Sequence, residues 1–312
     1  MKIVGTRIRE EPATFRTAMA TAGIALGSSR EGRWIVERAC AVSSDALLKI
    51  LDDAVPESVS EAVDLMVARR LAGEPLQYVL GAWDFRGIEL LVDRRVLIPR
   101  PETEQVVDVV LTELAKSAGP SAPVVLVDLG TGSGAIALSV ALEGASDASR
   151  VRGDVRDRLE VWATDLSADA LDVARSNLAL LASSNAAAAR RVRVGQGTWY
   201  DSLPRKLVGR VNLVVSNPPY VSEAEWQVLD PQVRDYEPRM ALVPGSTGIE
   251  AIEQVVSGAP EWLAPGGTLV CELAPAQAAI AAGLAEGAGM VDVTVRHDLA
   301  GKLRVLVARK RL

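Results

Sequence analysis

The stretch Val124-Val125-Leu126-Val127-Asp128-Leu129-Gly130-Thr131-Gly132-Ser133-Gly134-Ala135 leaves this chain few folds to choose from. Its apolar run reads as a buried strand. The glycines after it let the backbone turn sharply and approach a ligand at the amino end of the helix that starts at Ala135. The alternation then continues. The pattern predicts strands at Val161–Asp165, Arg191–Val194, Val211–Ser216 and Thr268–Leu273. Between and after them it predicts helices from Ser167 to about Leu181, from Gly248 to Leu263 and from Ala276 to Glu286. Strands alternating with helices build a parallel sheet covered on both faces. Val291–Val295 and Leu303–Ala308 close the chain as two strands with no helix between them. They must pair antiparallel, because a parallel return needs a longer connection. The expected fold is α/β, a seven-stranded Rossmann-like sheet with an antiparallel last strand.

Before that sheet the sequence changes character. From Thr14 to about Arg70 helical stretches alternate with short breaks, with apolar residues at helical spacing in Trp34–Cys40 and Val63–Arg69. Ser43-Ser44-Asp45 reads as a helix start, as does Ser58 or Ser60 before Glu61. Short β-like runs flank Gly87 in Trp83–Val92 and predict a hairpin. The expected organisation is a small helical domain over 1–82, a hairpin linker over 83–95 and the large sheet domain over 96–312. At its start, two prolines bracket Arg100 in a stiff loop, and Pro101-Glu102-Thr103-Glu104 is a helix start with acids in its first turn.

Composition narrows the function classes. No apolar stretch reaches transmembrane length and the amino terminus lacks a signal-peptide core, so a cytoplasmic protein with no membrane partner is expected. A net charge of −6 argues against a surface that grips nucleic acid throughout. Cys40 and Cys271 lack metal-ligand spacing and read as buried thiols, and no metal site is expected. The only histidine, His297, lies far from the glycine loop and reads as structural.

The chemistry centres on Asn217-Pro218-Pro219-Tyr220, at the carboxyl end of a buried strand, where open α/β sheets bind ligands. Two prolines stiffen the chain and contribute no N–H groups to compete for its carbonyls. Asn217 adds a side-chain acceptor and Tyr220 an aromatic face. Such a corner suits a planar –NH2 group, held by two in-plane acceptors with a ring stacked on it. The glycine loop alone admits either a nicotinamide dinucleotide or S-adenosylmethionine. Asp165, ending the second strand, is placed to accept the ribose hydroxyls of either. Hydride transfer needs no –NH2 clamp, and a sheet with one antiparallel strand is that of a class I methyltransferase. With a sulfonium methyl donor the parts fit together. Trp199-Tyr200 follows the third strand at the rim where an adenine could stack, and Glu272, ending the fifth, reads as a buried, paired carboxylate in preference to part of the site.

From about Arg70 onward the chain resembles the HemK/PrmC family of protein-(glutamine-N5) methyltransferases. The resemblance rests on Gly73-Glu74-Pro75-Leu76-Gln77-Tyr78, Ile98-Pro99-Arg100-Pro101-Glu102-Thr103-Glu104, Asp128–Gly134 and Ser216-Asn217-Pro218-Pro219-Tyr220. Tyr236-Glu237-Pro238 with Ala241-Leu242, and Asp298-Leu299-Ala300-Gly301 with Arg304-Val305, extend it. It implies that Gly130, Thr131, Gly132, Ser133, Gly134, Asp165, Trp199 and Asn217 hold S-adenosylmethionine, which leaves as S-adenosylhomocysteine. It also implies that Asn217, Pro218, Pro219 and Tyr220, with Arg100, hold the substrate glutamine, and that Asn217, Pro218 and Tyr220 are catalytic. The implied partner is a class 1 peptide chain release factor, modified on the glutamine of its Gly-Gly-Gln loop to aid translation termination and docked with help from the helical domain. The Asn-Pro-Pro-Tyr corner by itself also admits a ribosomal-protein glutamine or adenine in nucleic acid. Gln196-Gly197-Thr198-Trp199 departs from the family's usual Gly-Asp segment before the aromatic.

Overall fold

The computed structural model describes residues 13–116, 123–144, 151 and 153–312. Contacts divide the chain into two compact units, Met1–Gly81 and Ala82–Leu312. The described part of the first unit consists of α1 (Phe15–Leu26), α2 (Ser29–Cys40), α3 (Ser44–Lys49), α4 (Glu57–Leu71) and α5 (Leu76–Leu80). Thr14, Ser28 and Ser43 each cap a helix by accepting a backbone N–H three residues on. Neither Ser58 nor Ser60 is a cap, because α4 already begins after Pro56, whose φ of −59° starts the helix early. Phe15, Ile35, Val36, Leu47 and Val63 form the core of this unit. Cys40 is only half-buried, since it lies at the end of α2, where its thiol donates to the Val36 carbonyl at 2.7 Å.

The second unit opens with a hairpin, β1 (Ala82–Phe85) and β2 (Ile88–Leu91), paired antiparallel. Arg86 and Gly87 at its turn have φ of 52° and 73°, the signs a tight primed turn requires. The hairpin, expected as a linker over 83–95, falls within this unit. Phe85 and Leu90 enter the unit's core, and the Asn177 side chain exchanges hydrogen bonds with the Leu91 backbone at 2.7 and 3.1 Å.

The remaining elements are α6 (Pro101–Ala115), β3 (Val124–Leu129), α7 (Ala135–Glu143), α8 (Gly153–Arg156), β4 (Leu159–Asp165), α9 (Ala168–Ser184) and α10 (Ala186–Ala189). After them come β5 (Val192–Gln196), β6 (Val211–Ser216), α11 (Glu223–Trp226), α12 (Pro231–Arg234) and α13 (Glu250–Trp262). The chain closes with β7 (Leu263–Glu272), α14 (Ala278–Gly287), β8 (Val291–His297) and β9 (Leu303–Arg309). Strands β3 to β9 form one sheet in the order β5-β4-β3-β6-β7-β9-β8. Pairing is parallel from β5 to β7, and β9 runs antiparallel to both its neighbours. This is the expected mixed α/β sheet.

Alternation along β3 makes two cores from one strand. Val124 and Leu126 face the first; Val125, Val127 and Leu129 face the second. Two stretches depart from expectation. The segment 144–158, expected as a surface loop, contains α8, anchored by fully buried Val155; residues 145–150 and 152 lie outside the described residues. Strand β7 begins at Leu263 despite Pro265-Gly266-Gly267, because a register shift against Val211–Leu213 absorbs the irregular backbone. Among the described residues no helix is long and apolar enough to cross a membrane.

One close approach in the first unit is measurable. A Cβ on Gly32 of α2 would lie 2.4 Å from the Gly23 nitrogen and 2.7 Å from its Cα, both backbone atoms. Gly32→Ala gains up to about 1 kcal/mol of helix propensity. The forced separation of α1 and α2 costs about 1–3 kcal/mol or more, so strain wins. A lower denaturation midpoint for this unit is the expected outcome, read by far-ultraviolet circular dichroism during urea unfolding.

Candidate active site

Parallel pairing of β3 with β6 places Leu129 opposite Ser216, so the residues that follow, Gly130 and Asn217, emerge side by side at the carboxyl edge. The Ser216 hydroxyl donates to the Leu129 carbonyl at 2.7 Å and pins the two strand ends together. A cleft opens above this edge. It is lined by Gly130, Gly132, Asp165, Leu166, Trp199 and Asn217, with Pro219 and the segments Arg95–Leu97, Ser167–Ala170, Gly197–Thr198 and Pro238–Ala241 contributing to its walls.

The glycine loop is held shut by its own amides. Gly130 and Thr131 N–H groups both donate to the Thr164 carbonyl, at 2.9 and 2.8 Å, and Gly134 N–H donates to the Thr131 carbonyl at 2.8 Å. Gly132 N–H donates to Asp165 Oδ2 at 2.9 Å. Beneath the loop, Asp128 Oδ2 accepts from the Thr131 hydroxyl at 2.6 Å and from Ala137 N–H at 3.2 Å. Burial pushes the Asp128 carboxyl up to about 7 against these bonds. Gly130, Gly132 and Gly134 have φ of 73°, 56° and 87°, the left-handed backbone this closed turn requires.

These commitments decide between the two ligands the glycines admit. A dinucleotide needs free N–H groups to cradle its pyrophosphate, and here the amides of Gly130, Thr131, Gly132 and Gly134 are already bonded within the protein. Asp165 adds negative charge at the same place. Its Oδ1 accepts from Ser167 N–H at 2.9 Å, and each carboxylate oxygen keeps lone-pair capacity toward the cleft. Burial raises its carboxyl above the ordinary value while the backbone bonds oppose that shift. The walls beside it, Leu166 and Trp199, are apolar, and one edge of the Trp199 ring lies 3.8 Å from where a Cβ on Gly130 would sit. Trp199 has φ of 46°, a costly conformation for a tryptophan. A carboxylate for a ribose diol, an aromatic face for adenine and a glycine turn with these four amides committed within the protein fit S-adenosylmethionine better than a dinucleotide.

Asn217 lies where the cleft meets the helix start at α6. Its Nδ2 donates to Thr103 Oγ1 at 3.2 Å, and the Thr103 hydroxyl donates to Glu272 Oε2 at 2.8 Å. Thr103 and Glu272 are 4% and 1% exposed. Burial pushes the Glu272 carboxyl up to about 7, opposed by the Thr103 bond and by Arg304. With its nitrogen tied back, Asn217 keeps Oδ1 as a free acceptor, and among the described residues no donor meets it or the Pro218 carbonyl.

The expected corner residues divide. Asn217 and Pro219 line the cleft; Pro218, Tyr220 and Arg100 do not. Tyr220 packs against the second core, and burial raises its hydroxyl to about 12. Its carbonyl, expected to stand free of competing donors, accepts from Gln277 Nε2 at 2.9 Å, because that amide bridges Tyr220 to the Gly248 carbonyl. Arg100 pairs with Glu237 at 2.5 Å, and the other Glu237 oxygen accepts from Ile98 N–H at 3.1 Å. The stiff loop is thereby strapped to the segment that follows α12. Ser133 is buried and its carbonyl accepts from Asn177 Nδ2 at 2.9 Å, so it supports the loop from behind. Tyr200 belongs to the core, stacked on Trp262 with its hydroxyl donating to the Val255 carbonyl at 2.6 Å. His297 lies on β8, the strand at the sheet's edge.

Sequence reasoning missed Thr103 and Gln277, preferred a paired carboxylate over a site residue for Glu272, and gave Glu237 no role. Threonine in a helix's first turn reads as local, and its partners are 114 and 169 residues away. Nothing in the spacing announces Gln277.

Known proteins resemble this chain along most of its length. Residues 16–81 match the family model of the PrmC N-terminal domain. A release factor glutamine methyltransferase of Cereibacter sphaeroides is 36% identical, covering 93% of this chain and 94% of its own. One from Bordetella pertussis is 41% identical over 88% of this chain and 92% of its own. Another from Burkholderia pseudomallei is 38% identical over 92% and 95%. Identity at this level, sustained along nearly the whole length of each, means that the chain belongs to the release factor glutamine methyltransferase family.

Proposed function

We propose that this protein transfers a methyl group from S-adenosylmethionine to the side-chain amide nitrogen of a glutamine, the one in the Gly-Gly-Gln loop of class 1 peptide chain release factors. The observation that carries the reading is the free Asn217 Oδ1 in the same cleft as the self-bonded glycine loop and Asp165. When bound, S-adenosylmethionine supplies a methyl group made electrophilic by its cationic sulfur. Asp165 holds the ribose hydroxyls, Trp199 faces the adenine, and the Gly130–Gly134 turn lies against the rest.

An amide nitrogen is a poor nucleophile because its lone pair is delocalised into the carbonyl. Asn217 Oδ1 and the Pro218 carbonyl oxygen accept its two N–H bonds. Both interactions strengthen as positive charge grows on that nitrogen, which lowers the barrier by fixed dipoles rather than by a base. The methyl–sulfur bond breaks as the carbon–nitrogen bond forms, S-adenosylhomocysteine leaves, and the cationic methylamide sheds its extra proton to water. Holding the –NH2 plane also aims the lone pair along the line of attack. Pro219 adds to the wall beside the corner. Tyr220 forms its far side, stiffened by Gln277, and Arg100 acts through Glu237 to fix the loop opposite. The helical unit serves partner docking, a reading supported by its match to the PrmC N-terminal domain.

Incubation with labelled S-adenosylmethionine and a class 1 release factor should label the factor, and replacing the Gly-Gly-Gln glutamine should abolish incorporation. Label entering duplex DNA or a ribosomal protein instead would overturn the substrate assignment. Asn217→Ala should lower kcat by roughly 100-fold, the cost typical of one lost dipole at a reacting centre, with S-adenosylhomocysteine affinity unchanged in calorimetry. Asp165→Asn, which keeps one oxygen but loses the charge, should weaken S-adenosylhomocysteine binding by about tenfold or more in the same titration.

A further inference from the structure

We propose that Glu272 and Thr103 are positioning residues that set the polarity of the Asn217 amide, so that the carboxylate at the end of β7 decides whether the cleft meets an acceptor or a donor. The inference rests on the reading of Asn217 as the acceptor for the substrate amide.

The number of hydrogens on each group fixes the direction of every bond. A threonine hydroxyl has one hydrogen to give and lone pairs to receive. Facing an ionised Glu272, Thr103 must give that hydrogen to Oε2, 2.8 Å away. It then meets Asn217, 3.2 Å away, only as an acceptor. An acceptor there selects the Nδ2 end of the amide and leaves Oδ1 turned to the cleft. Polarisation runs the same way along the chain of bonds, drawing electron density toward Oδ1. A protonated Glu272 removes the constraint. Its own hydrogen can go to Thr103 Oγ1, and the hydroxyl is then free to donate to Asn217 Oδ1. That turns Nδ2 into the cleft, where it opposes the N–H groups of a substrate amide.

The three residues come from three elements, the first turn of α6 and the ends of β6 and β7, so the relay exists only in the assembled sheet. The charges facing Glu272 come from each element around it. Arg304 of β9 and Arg100 before α6 favour its ionised form, while Glu102 of α6 opposes it. Burial first and the nearby Glu272 second push the ionisations of Tyr220 and Cys271 upward, so both stay neutral. Burial holds the Glu272 proton up to about 7, so the relay reverses within the range in which enzymes are assayed.

The test combines kinetics with a signal that needs no substrate. In the wild-type protein kcat should rise by about tenfold between pH 6 and pH 8, following Glu272 ionisation. Glu272→Gln should flatten that rise. Thr103→Val should lower kcat by about tenfold or more at pH 8 with S-adenosylhomocysteine affinity retained, and Thr103→Ser should restore most of it. In parallel, the Asn217 side-chain 15N–1H resonances, assigned by their loss in Asn217→Ala, should titrate in the wild type near neutral pH. They should be static in Glu272→Gln. An Asn217 amide that does not titrate, or a Glu272→Gln enzyme that keeps the wild-type pH profile, would overturn the proposal. A titrating amide in a protein that leaves release factor unlabelled upholds the relay and overturns the reading of function.

Discussion

Parallel pairing of β3 with β6 is the constraint on which the site depends. The chain runs outward from β3 through β4 to β5, then returns to lay β6 on the other side of β3. At that reversal the two strand ends stand side by side, with Leu129 opposite Ser216. The glycine turn belongs to one end and the Asn-Pro-Pro-Tyr corner to the other. The donor of the methyl group and its acceptor are therefore brought together by backbone hydrogen bonds in the middle of the sheet. A one-residue slip between these strands would turn every core side chain to the wrong face, which is why the register is well defended.

Around that seam, rigidity is supplied by buried polar side chains that each hold a backbone segment. Asp128 closes the glycine turn through Thr131 and Ala137. Asn177 ties Ser133 to the hairpin, Glu237 ties Ile98 to Arg100, and Gln277 ties Tyr220 to Gly248. Asn177, Glu237 and Gln277 each meet several partners at once, the condition under which a buried polar group stiffens a structure instead of weakening it, whereas Asp128 leaves Oδ1 without a hydrogen bond. Transfer to a reluctant nitrogen asks for such stiffness, because the catalytic gain comes from dipoles that need not reorganise.

Much of this was legible in the residues. Strand and helix periods from Val124 to Ala308 foretold the sheet, and the missing helix between the last two strands foretold its one antiparallel member. Asn217 and Asp165 could be placed because strand ends have a known location in such folds. What escaped notice was long-range and side-chain borne. Thr103 looks like one more residue in an acidic first turn, and Glu272 like a carboxylate needing a partner. Only the folded sheet shows that the partner of the one is the other, and that Asn217 completes the line. Tyr200 and Trp199 illustrate the same limit, since neighbours in sequence went to opposite destinations, one to the core and one to the cleft.

The self-bonded glycine turn has a consequence for selectivity among adenine compounds. ATP and its relatives share the adenosine that Asp165 and Trp199 are placed to receive, and every cell holds them in abundance. Their triphosphate or pyrophosphate tail would arrive at amides already spoken for by Thr164 and Asp165, beside a carboxylate of its own sign. The turn thus disfavours a polyphosphate, whose several like charges would lie beside Asp165 with few free glycine-loop amides to replace their water.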